Sequence, residues 1–152
     1  MVATSSTTAV RRGLELLVRR PRTESELRSA LAAEHPAEAV EQAVARLRTL
    51  RYLDDEAWAA AHLSTARAQQ RGALLLRREL LARGVSPAIA DAALAGREDR
   101  PAALAAARHR LRALQRLERG PRERRLRGYL HRRGFAAETV NSVLLELLDA
   151  QE

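Results

Sequence analysis

Apolar residues recur at three- and four-residue steps along most of the chain, with charged residues between them. In the last such stretch the apolar positions are Val140, Val143, Leu144 and Leu147. Because an α-helix turns once every 3.6 residues, this spacing puts the apolar side chains on one face. Read along the whole chain, the pattern predicts nine helices and no strand.

Residues that start and stop helices divide this pattern. Thr23 followed by Glu26 has the form of a capping box, which opens a helix. A single helix is predicted from the acids at 54–55 to about residue 70. Gly84 is placed where a helix ends in a left-handed residue, and Gly134 and Gly120-Pro121 are interpreted as two further helix ends.

The chain also repeats itself with a period of 49 to 50 residues. A leucine-arginine pair, followed by a leucine four residues after the first, occurs at Leu27, Leu76 and Leu126. Such a period is typical of stacked helical units, each too small to bury its apolar face alone. We therefore predict an all-α fold, an elongated tandem array of three three-helix repeats. The predicted boundaries are a disordered lead-in at 1–8 and repeats at 9–53, 54–97 and 98–150.

The composition agrees with a helical fold and excludes chemistry that depends on cysteine. Aromatic residues are only 3% of the 152 residues, so leucine, alanine and valine must form the core. The chain has no cysteine, which removes disulfides and thiolate chemistry and makes the cytoplasm the expected compartment. No apolar run approaches the roughly 20 residues that cross a bilayer, and the first ten residues lack the features of a secretion signal.

The net charge is +8, and all 27 basic residues are arginine. Eleven of them lie between Arg108 and Arg133, where the only acids are Glu118 and Glu123. A concentration of positive charge attracts phosphate backbones or acidic protein surfaces. The structural alternative is a solvated helix face.

Catalytic and metal-binding interpretations find little support in the sequence. The four histidines lack the spacing of metal ligands, and Asp54, Asp55 and Glu56 are better explained as helix-start residues. No strand precedes a glycine-rich loop that would bind phosphate. We predict no enzyme activity, no catalytic residue, no metal and no cofactor.

Two segments carry a resemblance to a known family. Residues 52–58 read YLDDEAW and residues 77–85 read RRELLARGV. Together with the RRGF segment at 132–135 they resemble the RecX family of recombination regulators, over roughly residues 9–148. The first repeat departs from the family pattern, because His35-Pro36 stands where a glycine-aromatic pair is usual.

This resemblance implies a regulator of the RecA recombinase. It would lie in the groove of the RecA filament on single-stranded DNA and restrain ATP hydrolysis, strand exchange and co-protease activity, in recombination, repair and the SOS response. A basic repeat protein fits this role, because several weak contacts along a filament add up to tight binding. We also expect a monomer and salt-sensitive binding to bare DNA.

The basic faces of the second and third repeats are the predicted contact surface. The candidate residues are Arg67, Arg71, Arg77, Arg78, Arg83, Arg124, Arg125, Arg127, Arg132 and Arg133. For Arg83 and Arg133 the alternative role is that of a cation in the last turn of a helix.

Two other functions remain open from the sequence. One is a basic helical protein that acts directly on DNA as a regulator, with the second and third helices of a repeat imitating a helix-turn-helix. Against it, the third helix of the first repeat mixes Glu38 and Glu41 with Arg46 and Arg48. The other is a scaffold for an acidic protein.

Overall fold

The computed structural model describes the backbone of residues 2–149 and the side chains of residues 5–148. This part of the chain forms ten α-helices and contains no strand, which confirms the all-α prediction. The helices are α1 (Val2–Arg19), α2 (Glu24–Ala32), α3 (Ala37–Thr49), α4 (Asp55–Leu63), α5 (Ala66–Gln69), α6 (Ala73–Ala82), α7 (Pro87–Leu94), α8 (Arg100–Arg112), α9 (Arg119–Arg132) and α10 (Ala137–Asp149).

The N-terminal region differs from the expected disordered lead-in at 1–8. Helix α1 begins at Val2, and Met1 lies outside the described residues. Ala9 and Leu16 of α1 are buried in the core. Because packing nucleates the helix, adding residues at its N-terminal end costs little, and the serines and threonines there join it.

Two predicted helix boundaries are wrong. The helix expected at 54–70 is broken into α4 and α5, because the Thr65 side chain accepts a hydrogen bond from the Ala68 amide and caps a new helix. Gly120-Pro121 lies in the first turn of α9 instead of ending α8. Proline is tolerated there because first-turn amides have no acceptor within the helix.

The chain divides into two compact units. Unit 1 contains residues 1–61 and 80–93, and unit 2 contains residues 62–79 and 94–152. The predicted first repeat lies within unit 1, whereas the predicted middle repeat is shared between the units. The division into three repeats stays a proposal.

Each unit has its own apolar core, built from the leucines of the repeated signature. In unit 1, helices α1 to α3 bury Leu27 and Leu47 completely. In unit 2, helices α8 to α10 bury Leu126 and Leu130 completely, and Phe135 is 1% exposed. Burying one such side chain stabilises a fold by about 2 kcal/mol, so these residues dominate the stability of both units.

In unit 1, the turn after α6 packs against the start of α2. The Thr23 hydroxyl donates a 2.6 Å hydrogen bond to the Arg83 carbonyl. Gly84 has a φ of 81°, and a Cβ at this position would lie 2.2 Å from the Cβ of Ser25. Only glycine fits both the left-handed backbone and this close approach.

In unit 2, the turn after α9 makes the same kind of contact with the start of α6. The Gly72 amide donates to the Arg133 carbonyl at 2.8 Å, and the Leu74 amide donates to the Gly134 carbonyl at 3.1 Å. Gly134 has a φ of 85°, and a Cβ there would lie 2.3 Å from the Cβ of Leu75. We call this contact, in which a glycine turn packs against the start of an earlier helix of the same unit, the joint.

An aspartate completes the joint in both units. The Asp55 carboxylate accepts a 2.9 Å hydrogen bond from the Glu24 amide in unit 1. In unit 2 the Asp99 carboxylate accepts a 2.7 Å bond from the Ala73 amide, and Arg97 binds Asp99 at 3.0 Å. The glycine turns and the helix starts of the two joints are 49 to 50 residues apart, as in the sequence repeat, whereas the two aspartates are 44 residues apart.

Candidate nucleic-acid interface

Helix α9 exposes several arginines, and three of them lie on the side of the helix opposite the core. Leu126 and Leu130 are fully buried and fix the inner side of the helix. Arg124, Arg125 and Arg132 point away from that side, because the helix turns by about 100° per residue, and all three are exposed. Within the described chain these three have no hydrogen bond or ion pair to an acid. We call them the α9 arginine face.

Two other predicted arginines of this region hold unit 2 together. Arg127 forms a 2.8 Å ion pair with Glu123 and a hydrogen bond to the side chain of Asn141 on α10. Arg133 caps the end of α9 and donates a 3.2 Å hydrogen bond to the Gln70 carbonyl. Their guanidinium groups are partly satisfied inside the unit, so less of their charge is available to a partner.

An aromatic side chain lies among these arginines. The guanidinium carbon of Arg133 is 4.9 Å from the ring centre of Tyr129, and that of Arg110 on α8 is 5.6 Å away. Tyr129 follows Arg125 by four residues and precedes Arg132 by three, so they share one side of α9. The sequence analysis missed Tyr129 and Arg110, although an aromatic residue within a run of arginines was a visible signal.

The arginines predicted in the middle repeat do not act alike. Arg67 and Arg78 are exposed, with no acidic partner in the described part of the chain. Arg71 forms an ion pair with Glu79. Arg77 is half-buried and engaged within the structure. Of these four arginines, only Arg67 and Arg78 offer an unpaired charge at the surface.

Arg83, the last candidate of the middle repeat, is used inside unit 1. Its Nε donates a 2.6 Å hydrogen bond to Glu26, and its guanidinium carbon is 5.1 Å from the ring centre of Trp58. Burial acts to raise the pKa of Glu26, but the hydrogen bonds from Arg83 and the Thr23 amide outweigh it and lower that pKa below 4.5. This charge stabilises the fold of unit 1.

The two units differ sharply in net charge. Unit 1 contains ten arginines and ten acids, whereas unit 2 contains seventeen arginines and nine acids. In unit 1, ion pairs join Arg12 to Glu34, Arg28 to Glu41 and Arg48 to Glu24 at 2.9, 2.6 and 2.6 Å. The whole excess of eight positive charges therefore belongs to unit 2.

Unit 1 also has an open cavity of about 700 Å³. Its wall includes Glu24 and Arg48, which pair with each other, and the exposed Arg51. Asp55 also lines it, and burial raises the pKa of this carboxyl above 3.8 despite the hydrogen bond from the Glu24 amide. No three histidine, aspartate or glutamate side chains between residues 5 and 148 cluster as metal ligands would.

A membrane-spanning role has no element to support it in the described chain. None of its helices combines the length and the apolar character that crossing a bilayer requires.

Comparisons with known proteins all lead to one family. The family model for the first three-helix domain of RecX matches residues 9–47. The regulatory protein RecX of Streptomyces coelicolor is 34% identical over 145 residues, which cover 91% of this chain and 76% of that protein. RecX of Geobacillus kaustophilus is 32% identical over 143 residues, and the chain spans about half of it, 53%.

Solved structures of RecX proteins have the same fold. One crystal structure of regulatory protein RecX is 25% identical, with a TM-score of 0.83 over 98% of this chain and 73% of the other. The crystal structure of RecX from Lactobacillus salivarius is 18% identical, with a TM-score of 0.88 over 97% of this chain and 99% of the other.

Proposed function

Because this chain belongs to the RecX family of regulatory proteins, we propose that it binds the RecA recombinase and the single-stranded DNA within the RecA filament. Binding lowers the ATPase, strand-exchange and co-protease activities of RecA in DNA repair and recombination. The ATP chemistry belongs to RecA, and this chain contributes contacts only. We retain the cytoplasm, expected from the absence of cysteine, as the place of action.

The observation that carries this proposal is the α9 arginine face. Its three guanidinium groups are exposed and unpaired with acids among the described residues, in a unit with eight excess positive charges. A guanidinium binds a phosphate through two parallel hydrogen bonds, which favours arginine where a phosphate backbone must be held. Such binding displaces counterions from the nucleic acid and weakens steeply as salt rises.

Repeated contacts explain how a small protein restrains a filament. A chain that touches DNA and neighbouring RecA subunits gains affinity from each added contact, because later contacts are intramolecular. A subunit held by its neighbours through this bridge cannot move freely through its hydrolysis cycle. One bound molecule then slows several RecA subunits.

The internal partners of the candidate arginines support a shorter set of contact residues. We propose that the arginines without an internal partner contact the filament, namely Arg67, Arg78, Arg124, Arg125 and Arg132. The remaining candidates have internal partners and serve the fold first, namely Arg71, Arg77, Arg83, Arg127 and Arg133.

The test is DNA-dependent ATP hydrolysis by the cognate RecA on single-stranded DNA. The protein is titrated at substoichiometric ratios in moderate salt. We expect inhibition at well below one molecule per RecA subunit, since one bound molecule affects many subunits. Unchanged hydrolysis together with retained binding to bare DNA would contradict the proposal and favour a regulator that acts on DNA directly.

A further inference from the structure

Helix α9 contains a glycine that its packing does not require. Gly128 lies in the helix interior, where glycine is less favourable than alanine. A Cβ at this position would meet one atom within 4 Å, the Nη1 of Arg132 at 3.1 Å. Gly134 is different, because the backbone of Leu75 leaves no space there. The fold itself therefore gives no reason for glycine at position 128.

Gly128 lies at the centre of the α9 arginine face. It follows Arg124 by four residues, follows Arg125 by three and precedes Arg132 by four, so all three arginines surround it on the helix surface. Without a Cβ at this point, the surface has a shallow notch. The guanidinium of Arg132 lies over that notch, close to the helix.

We propose that Gly128 forms part of the binding site, as a notch in which a phosphodiester group of single-stranded nucleic acid approaches the helix and binds the guanidinium of Arg132. This inference rests on the proposed function and specifies how α9 contacts the strand. Arg124 and Arg125 bind neighbouring phosphates. From Arg124 to Arg132 the helix rises by about 12 Å, a length over which a strand presents several phosphates.

The notch explains why a helix with a basic surface contains an unfavourable residue. Glycine lets a ligand come close to a backbone, and the conformational freedom it adds to the unfolded chain is the cost of that approach. An added methyl group at position 128 would push the Arg132 guanidinium outward and fill the notch. The substitution that stabilises the helix is therefore the one that weakens binding.

The test is Gly128→Ala, assayed by fluorescence anisotropy with a labelled oligo(dT) of about 30 nucleotides, without RecA. We expect the melting temperature to rise by about 3 °C and the affinity to fall about fivefold at moderate salt. A purely structural residue would not change these two quantities in opposite directions.

Gly120→Ala is the matched control on the same helix. A Cβ at Gly120 would lie 3.6 Å from the Nη1 of Arg124, an ordinary contact distance that leaves this guanidinium in place. This variant should keep its affinity and gain no stability, because a Cβ on the residue before Pro121 disfavours the helical backbone there. Arg132→Gln should weaken binding about fivefold with little change in stability.

The outcomes separate the notch from the proposed function. Full affinity in Gly128→Ala, with weakened binding in Arg132→Gln, would overturn the notch and leave the arginine contacts intact. No binding of oligo(dT) by the unmodified protein would remove the DNA contact in the proposed function itself. Equal affinity for polyglutamate would overturn the assignment to nucleic acid in favour of an acidic protein partner.

Discussion

Unit 1 and unit 2 use arginine for different purposes. In unit 1 ten arginines are balanced by ten acids, and some pairs connect different helices, such as Arg28 of α2 with Glu41 of α3. In unit 2 seventeen arginines share nine acids, and the α9 arginine face has no acidic partner in the described chain. The candidate interface is therefore distinguished by where its arginines lie and by their lack of acidic partners, more than by the number of arginines.

The joint is what the two units have in common. In both, a glycine turn packs against the start of an earlier helix, and an aspartate accepts a hydrogen bond from an amide at that start. The two units therefore share this packing but differ in surface charge.

The largest expected effect comes from adding a methyl group inside the joint. Gly134→Ala should cost about 4 kcal/mol of unfolding free energy, because alanine is strained at positive φ and its Cβ would overlap the backbone of Leu75. Gly84→Ala in unit 1 should cost about 3 kcal/mol, because it meets the Ser25 side chain. Urea denaturation measures both losses.

Gly96→Ala is the control for the joint glycines. Gly96 also has a positive φ, 73°, but no atom lies within 4 Å of a Cβ there. This variant should lose only about 1 kcal/mol, the cost of the backbone conformation. An equal loss in Gly134→Ala and Gly96→Ala would show that close packing at the joint contributes nothing.

Replacing one internally paired arginine and one exposed arginine with glutamine, in separate variants, sharpens the comparison between the two units. Arg83→Gln should cost about 1 kcal/mol of stability, because it removes the hydrogen bond to Glu26 and the contact with Trp58, and should leave DNA affinity unchanged. Arg132→Gln should weaken DNA binding and leave the stability nearly unchanged. Thermal denaturation and fluorescence anisotropy on both variants check this, and the same pattern in both would break the distinction.

The smallest effect is the pH dependence of unit 1. The pKa of Glu26 in the folded chain lies below its ordinary value of 4.5, so its ion pair with Arg83 stabilises the fold above that pH. This contribution is lost as the pH falls through the lowered pKa. The difference in melting temperature between the unmodified protein and Glu26→Gln should therefore be present at about pH 7 and shrink below about pH 4.

Asp55 changes the total pH dependence but not this difference. Burial raises its pKa, so its charged form costs stability and protonation relieves that cost as the pH falls. Since Asp55 is present in both proteins, the comparison between them isolates Glu26. A difference in melting temperature that stays constant from about pH 7 to about pH 3 would rule out the ion pair as a source of stability.

Local signals in the sequence predicted much of the fold. The capping box at Thr23 forms as expected, and Gly84 and Gly134 end their helices with positive φ. These features depend on neighbouring residues, so the sequence contains all the information they need. Gly120-Pro121 was ambiguous, because this pair suits either a helix end or a first turn, and only the packing of α9 decides between them.

The candidate site was harder to predict because pairing is not local. Arg83 donates a hydrogen bond to Glu26, which lies 57 residues earlier in the sequence, and no spacing rule connects the two. Sequence spacing alone therefore cannot separate the arginines that are engaged within the fold from those that are exposed. Tyr129 brings Arg110 of α8 beside α9, a contact that requires the tertiary structure.

The most direct test of the proposed interface is RecA ATP hydrolysis in the presence of two charge-reversed proteins. One replaces the α9 arginine face with glutamate. The control makes the same change of charge in unit 1, at the exposed arginines Arg11, Arg19 and Arg46. Circular dichroism confirms that both variants stay helical.

We expect the α9 variant to lose inhibition at substoichiometric ratios, while the unit 1 variant inhibits as the unmodified protein does. Equal inhibition by both variants would contradict the claim that unpaired arginines of unit 2 form the interface.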